Sequence, residues 1–191
     1  MKLLGLVGSH RKNGNSFLIL DEVLKDLQVR AEIIQLADSN VQWCDACGLC
    51  RETMKCVIQD DVNMIFNKMI DADAVVFSAP RYLPIPSKLM TLIERVGALY
   101  HYSSESNSDF KFPLERKPFG LILVSAFGGR QALEALKELA YQVIQCWRMK
   151  PITMDTFPYI GAPVRGEEVG AALKDKQGLE QAKELIRKLV K

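Results

Sequence analysis

The run Lys2-Leu3-Leu4-Gly5-Leu6-Val7-Gly8-Ser9-His10-Arg11-Lys12-Asn13-Gly14-Asn15-Ser16 decides how the chain is built. Lys2–Val7 is almost wholly apolar, as a parallel strand buried on both faces would be, and Gly8 ends it. Small and polar residues follow as far as Ser16. Beyond them Phe17, Leu20, Val23, Leu24 and Leu27 share one helical face, which predicts a helix to about Val29 capped by Asn15 or Ser16.

The same alternation continues down the chain. Ala31–Leu36 reads as a second strand, and Asp60 and Asp61 open a helix carrying Val62, Ile65, Phe66 and Met69. Ala74–Ser78 is a third strand. Pro86 suits the first turn of a helix to about Gly97, with Leu89, Ile93 and Val96 facing inward. Pro118–Ser125 forms a fourth strand, followed by a helix marked by Ala132, Leu136, Leu139, Ala140 and Val143. Ile152–Tyr159 is the expected fifth strand, and Leu179, Ala182, Ile186 and Leu189 stripe a closing helix. Strands alternating with helices predict an α/β fold, a parallel sheet with helices on both faces. Ligands of such sheets bind beyond the carboxyl ends of the strands, so the loops after strands carry the chemistry. Residues 1–191 read as one domain, with a cysteine-rich loop at 37–59 and a polar-aromatic excursion at 98–117.

The 25 basic and 23 acidic residues nearly cancel, leaving a formal charge of +2. That balance gives no electrostatic case for nucleic acid or a membrane surface as partner. The first apolar run is too short for a signal-peptide core, and no stretch approaches the roughly 20 apolar residues of a membrane span. A soluble, cytoplasmic protein is the expectation. Five cysteines without a secretion signal argue against a disulfide framework and for metal or redox chemistry.

The loop Gly8–Ser16 offers what a phosphate needs: hydroxyls at Ser9 and Ser16, an amide at Asn15, a guanidinium at Arg11 and N–H groups at a helix N-terminus. It lacks both the Gly-Lys-Ser/Thr ending of an ATP loop and the Gly-x-Gly-x-x-Gly dinucleotide spacing. A polar turn with an ordinary cap accounts for the same residues. The run nevertheless resembles the FMN-phosphate loop of the NADPH-dependent FMN reductase superfamily, usually Gly-Ser-Pro-Arg-x-x-Gly-Asn-Thr/Ser. Ser9, Arg11, Asn15 and Ser16 match its phosphate-binding positions, and His10 stands where proline is common. The resemblance implies a flavodoxin-like three-layer sandwich with a five-stranded parallel sheet in the order 2-1-3-4-5.

After the third strand, Pro80, Pro84 and Pro86 stiffen a loop that carries Tyr82. The superfamily has a Ser/Thr-Pro-x-Tyr-type loop here, which makes Pro80, Arg81, Tyr82 and Leu83 contacts of the isoalloxazine ring by resemblance. Arg81 and Leu83 are larger than the residues often found there. After the fourth strand, Ser125, Phe127, Gly128 and Gly129 begin a loop whose paired glycines let backbone approach a ligand. By resemblance it flanks the flavin; a plain strand–helix turn explains it as well.

Cys44-x-x-Cys47-x-x-Cys50-x5-Cys56 gathers four thiols, soft ligands suited to iron–sulfur clusters and zinc. Three cysteines at close successive spacing favour a [4Fe–4S] cubane, because zinc more often uses two separated Cys-x-x-Cys knuckles and no second knuckle exists here. The motif resembles that of the iron–sulfur flavoproteins, a branch of the same superfamily, in the order phosphate loop, cysteine insertion, ring loop and glycine loop. That resemblance implies an FMN-dependent oxidoreductase passing electrons between FMN and a [4Fe–4S] cluster, with no general acid–base residue. It also implies a homodimer or homotetramer, with one subunit's cluster near another's flavin, and a redox partner such as a ferredoxin. NAD(P)H is a further candidate donor. An NAD(P)H-dependent FMN or quinone reductase without a cluster, and a zinc-binding regulatory module, remain as alternatives. Cys146 reads as a buried structural thiol, His101 as a packing or contact residue without a neighbouring carboxylate, and Trp43 as a shield or anchor for the cysteine loop.

Overall fold

A computed structural model describes residues 1–82, 85–106, 109–127 and 130–191, the side chains of Ser106 and Arg130 apart. In chain order the elements are β1 (Leu3–Val7), α1 (Asn15–Asp26), β2 (Ala31–Gln35), α2 (Val62–Asp71), β3 (Ala74–Pro80), α3 (Ser87–Ser106), β4 (Pro118–Ser125), α4 (Arg130–Trp147), β5 (Lys150–Pro151), β6 (Ala162–Arg165) and α5 (Lys176–Leu189). The strands pair in parallel in the order β2-β1-β3-β4-β5, with β6 also on β4.

Side chains alternate across the strands, and that alternation builds two cores. Leu4, Leu6, Val75, Phe77, Phe119 and Leu121 face α2, α3 and α4; there Phe77 lies 5.4 Å from the ring of Trp147, whose Nε1 donates to Ile93 O at 3.0 Å. Leu3, Val7, Val76, Ile122 and Val124 face α1 and α5. Burying one such side chain stabilises the fold by about 1.5–3 kcal/mol. The three-layer flavodoxin-like architecture follows from these two apolar faces.

The fifth position departs from the expected strand over Ile152–Tyr159. Two short strands, β5 and β6, share the edge of β4 instead. Pro151 and Pro158 lack the N–H groups a continuous strand would donate. The chain between folds on itself, with Met154 N–H donating to Tyr159 O and Tyr159 N–H to Thr156 O. Gly161 returns it to the sheet at φ +76°, where a Cβ would stand 2.9 Å from Leu121 O.

Helix α3 also runs nine residues past the expected stop at Gly97 and takes in much of the excursion. Gly97 is no terminator. A Cβ there would lie 3.1 Å from Cys146 Cβ, so the glycine sets how closely α3 and α4 pack. Beyond it Leu99 and Ser103 are buried and the Tyr100 ring packs tilted against Phe110 and edge-on against Phe112, which gives the extra turns a face to bury.

Candidate functional site

The carboxyl ends of β1, β3, β4 and β6 surround a cavity of about 180 Å³, lined by Ser9, Arg11, Gly14, Asn15, Ser16, Pro80, Arg81, Tyr82, Val124, Ser125, Ala126, Gly166 and Glu167. The first loop is fastened where β1 ends, Gly8 N–H donating to Ser78 O at 2.8 Å and the buried Ser78 hydroxyl donating to Ser16 O at 2.6 Å. Ser9 is buried, and its oxygen accepts the Arg11 N–H at 3.0 Å. Helix α1 starts after Gly14 with no side chain capping it. Its first N–H groups and the positive end of its dipole therefore face the cavity uncompensated. Ser16 is 1% exposed, and its hydroxyl has no hydrogen-bond partner among the described residues. An unmatched buried hydroxyl beside an uncapped helix start fits an anion that supplies the missing acceptors. Arg11 is exposed at the cavity, without an ion pair among the described residues.

Asn15 has another role than cap. Its Nδ2 donates to Glu168 O and its Oδ1 accepts Gly170 N–H, both at 2.7 Å, so the amide ties the loop after β6 to the loop after β1. Arg81 N–H donates to Val124 O, which fixes the start of the second loop against β4. Tyr82, 52% exposed, lines the cavity, whereas Phe127, 69% exposed, is not among its lining residues and accepts the buried Ser125 hydroxyl at its carbonyl at 2.6 Å. Leu83, Gly128 and Gly129 lie outside the described residues. Pockets that enclose a whole ligand run to about 300–1,000 Å³. A nucleotide anchored in this smaller cavity would lay its ring outside, against those aromatic side chains. A larger cavity of about 560 Å³ shares only Ser125 with this one and is lined by apolar residues of α4 and of 157–164 together with Arg165, Asp175, Gln177 and Gln181. None of its described lining residues comes from the loops after β1 and β3.

The cysteine loop hangs between β2 and α2 and is fastened to α3. Lys88 Nζ donates to Leu36 O and Ser39 O, Arg95 grips Gln42 O and Asp60, the Tyr102 hydroxyl donates to Ala46 O, and the Ser103 hydroxyl donates to Cys50 O. Left-handed residues Ala46, Gly48 and Met54 (φ 54°, 70° and 52°) coil the loop tightly. Cys50 is buried, Cys44 and Cys56 are half-buried and Cys47 is exposed. Burial, together with the charges of Cys56, Cys44 and Cys47, pushes the Cys50 thiol upward.

Among the described residues, no three His, Cys, Asp or Glu side chains stand close enough to chelate one metal ion. Tetrahedral zinc, with Zn–S near 2.3 Å, would draw its sulfurs within about 4 Å of each other. The four cysteines would have to draw together for a zinc ion or a cluster to be held. Trp43, 77% exposed, neither shields nor anchors the loop. His101 does have a carboxylate neighbour, with Glu105 Oε1 3.3 Å from its Nε2 one turn along α3. Cys146 is half-buried against α3, and burial raises its thiol.

Sequence reasoning missed the loop after β6. Gly166 approaches so closely that a Cβ would stand 2.9 Å from Asn15 Nδ2. The polar Gly166-Glu167-Glu168-Val169-Gly170 run was the available signal, hidden once the fifth strand was placed too early. It also missed Asp60, Asn63 and Arg95, which carry the cysteine loop from outside it.

The profile of the NADPH-dependent FMN reductase family matches residues 1–157. An iron–sulfur flavoprotein of Methanocaldococcus jannaschii is 30% identical over 194 residues, covering 99% of this chain and 95% of that relative. Among solved structures, RosB with a bound riboflavin-phosphate intermediate superposes with a TM-score of 0.71 at 16% identity, covering 99% of this chain and 77% of that one. An archaeal flavodoxin superposes with a TM-score of 0.55 at 11% identity, each chain covered in full (100%). These two structures bear on the fold alone.

Proposed function

The chain belongs to the NADPH-dependent FMN reductase family, and from that premise we propose that it is an iron–sulfur flavoprotein passing electrons between FMN and a [4Fe–4S] cluster. As a member of the family it is an FMN-dependent oxidoreductase. Bound FMN supplies exchange of electrons singly or in pairs, and a cluster supplies single-electron exchange.

The residues fit the flavin. The uncapped start of α1, the unmatched Ser16 hydroxyl and Arg11 receive the phosphate, while Tyr82 and Phe127 offer apolar surface to the ring. Cys44, Cys47, Cys50 and Cys56 are the ligands proposed for the cluster. The observation that carries this reading is the run of four cysteines on one loop clamped to α3, in a chain 30% identical to an iron–sulfur flavoprotein over nearly its whole length.

Within one chain the loop after β1 and the proposed cluster ligands lie at different levels of α3. Helix α3 starts beside the phosphate loop, where the Ser87 hydroxyl is 3.2 Å from His10 Nε2. It meets the cysteine loop between Arg95 and Ser103, roughly 12–24 Å further along at 1.5 Å per residue. A homodimer or homotetramer that brings one chain's cysteine loop to another's flavin cavity would shorten that path. Trp43, Leu49 and Val57 on the loop are exposed apolar side chains for such a contact to cover. A ferredoxin-like one-electron donor fits this scheme, with NAD(P)H as a second donor class and the cytoplasm as the setting. No described helix is long and apolar enough to cross a membrane.

Anaerobic purification followed by flavin, iron, sulfide and zinc analysis tests the proposal. FMN with about four irons and four sulfides per chain is expected. FMN alone after reconstitution would leave a flavin reductase, and zinc without iron would remove the cluster.

A further inference from the structure

Between the first turn of α4, the start of α5 and β6 lies the cavity of about 560 Å³, within the roughly 300–1,000 Å³ that encloses a small organic ligand. It shares only Ser125 with the flavin cavity, and the proposed electron path makes no use of it. Leu133, Phe157, Pro158, Pro163 and Val164 give it apolar walls.

The polar groups of its lining divide into those already held and those left over. Asp175 is held at both oxygens: Oδ1 accepts Gly178 N–H at 3.1 Å and Oδ2 accepts Arg165 N–H at 2.7 Å, which caps α5 and pins the end of β6. The Ser125 hydroxyl is given to Phe127 O. Gln181, 8% exposed, donates its Nε2 to Phe157 O at 2.6 Å, and its Oε1 accepts no hydrogen bond among the described residues. Gln177 is exposed. The Arg165 guanidinium, also exposed, makes neither a hydrogen bond nor an ion pair among the described residues. Lys174 and Lys176 stand with Arg165 around an adjoining hollow, where these cations outnumber the carboxylates of Glu167 and Asp175.

An apolar enclosure with a cation and a buried amide oxygen left over suits a ligand that is mostly hydrocarbon, carries an acid group and offers a proton donor. We propose that this cavity is a second small-molecule site, taking a hydrophobic carboxylic acid with its carboxylate on Arg165 and its body enclosed between α4 and β6. A guanidinium pairs with a carboxylate through two parallel N–H···O bonds, which fixes the acid end while the apolar walls hold the rest. The site does not depend on the iron–sulfur reading and is testable whether or not a cluster is present.

The test titrates the FMN-loaded protein calorimetrically with 6-hydroxy-2-naphthoate and with 2-naphthol, the same body without the acid. The naphthoate should bind the wild type with a Kd below about 1 mM, roughly tenfold more tightly than the naphthol, as a partly screened charged hydrogen bond allows. Arg165→Gln should lose that preference and bind both probes about as weakly as the wild type binds 2-naphthol. Leu133→Trp, which fills the cavity, should lose both by more than tenfold. FMN affinity should be unchanged in each variant, because neither residue lines the flavin cavity. If Leu133→Trp does not fold, the Arg165→Gln comparison decides alone. No binding to the loaded wild type, a preference for the acid that survives Arg165→Gln, or binding that survives in a folded Leu133→Trp overturns the proposal. Displacement of the naphthoate by added FMN or by NADP⁺ overturns it too, since the probe would then occupy the flavin cavity or a nicotinamide site.

Discussion

Replacing Ser16 by alanine should stabilise the flavin-free protein while weakening FMN binding. The hydroxyl is 1% exposed and unmatched among the described residues, so the empty site carries a buried polar group without a partner. Such a group costs about 1–3 kcal/mol, and alanine in a helix adds a few tenths more. Ser16 O keeps its bond from Ser78, so the backbone is unaffected. A net gain of about 1–2 kcal/mol should raise the apoprotein Tm by roughly 2–8 °C. In the loaded protein the same hydroxyl would donate to a phosphate oxygen, a charged bond worth about 1.5–3 kcal/mol, or roughly a 10- to 100-fold loss of affinity. At an FMN concentration of 100 times the wild-type Kd, ligand stabilisation should fall from about 2.7 kcal/mol to between about 1.4 and 0.4 kcal/mol. Calorimetric titration and melting with and without FMN give both numbers. An apoprotein less stable than wild type with unchanged FMN affinity would refute the reasoning, because the hydroxyl would then be serving the fold.

Arg11→Ala should weaken FMN binding by several-fold, less as salt is added, since the side chain is exposed and its attraction is screened; unchanged affinity at low salt would place the phosphate elsewhere. Cys47→Ser should lose or destabilise the cluster and keep FMN, read from iron content and the flavin spectrum. Gly97→Val puts branched carbon against Cys146, where even a Cβ lies at 3.1 Å, and should cost about 1–3 kcal/mol in a denaturant titration. Glu184 accepts from Asp155 N–H and from the Thr156 hydroxyl, and the Thr156 bond above all holds its carboxyl below the usual range. It therefore contributes stability above the ordinary glutamate value of about 4.3 that is lost as pH falls through its lowered one. The Tm gap between wild type and Glu184→Gln should close on acidification, and a gap constant with pH would contradict this.

Local pattern carried most of the fold. Val62, Ile65, Phe66 and Met69 are the buried face of α2, and β4 spans Pro118–Ser125 as its β-branched and aromatic run implies. Those elements declare themselves because period and burial agree within one segment. The fifth strand and the end of α3 did not, since each depends on partners far away: the free edge of β4, and the Cys146 backbone that Gly97 admits. The site divides in the same way. Ser9, Arg11, Ser16, Pro80, Arg81, Tyr82 and Ser125 all line one cavity. Asn15 lines it too, but its amide is spent on residues 168 and 170 of another loop, and no local reading reveals that. Arg95 carries no local signal that separates it from other charged residues of a helix. Its meaning comes from Asp60, 35 positions earlier.

The central claim is that electrons pass between flavin and cysteine loop, and stopped-flow reduction addresses it most directly. A one-electron donor is mixed anaerobically with the loaded wild type and with Cys47→Ser carrying FMN alone, following cluster and flavin absorbance separately. The account predicts cluster bleaching coupled to flavin reduction in the wild type, and much slower flavin reduction in the variant. Equal flavin rates in the two proteins would contradict it.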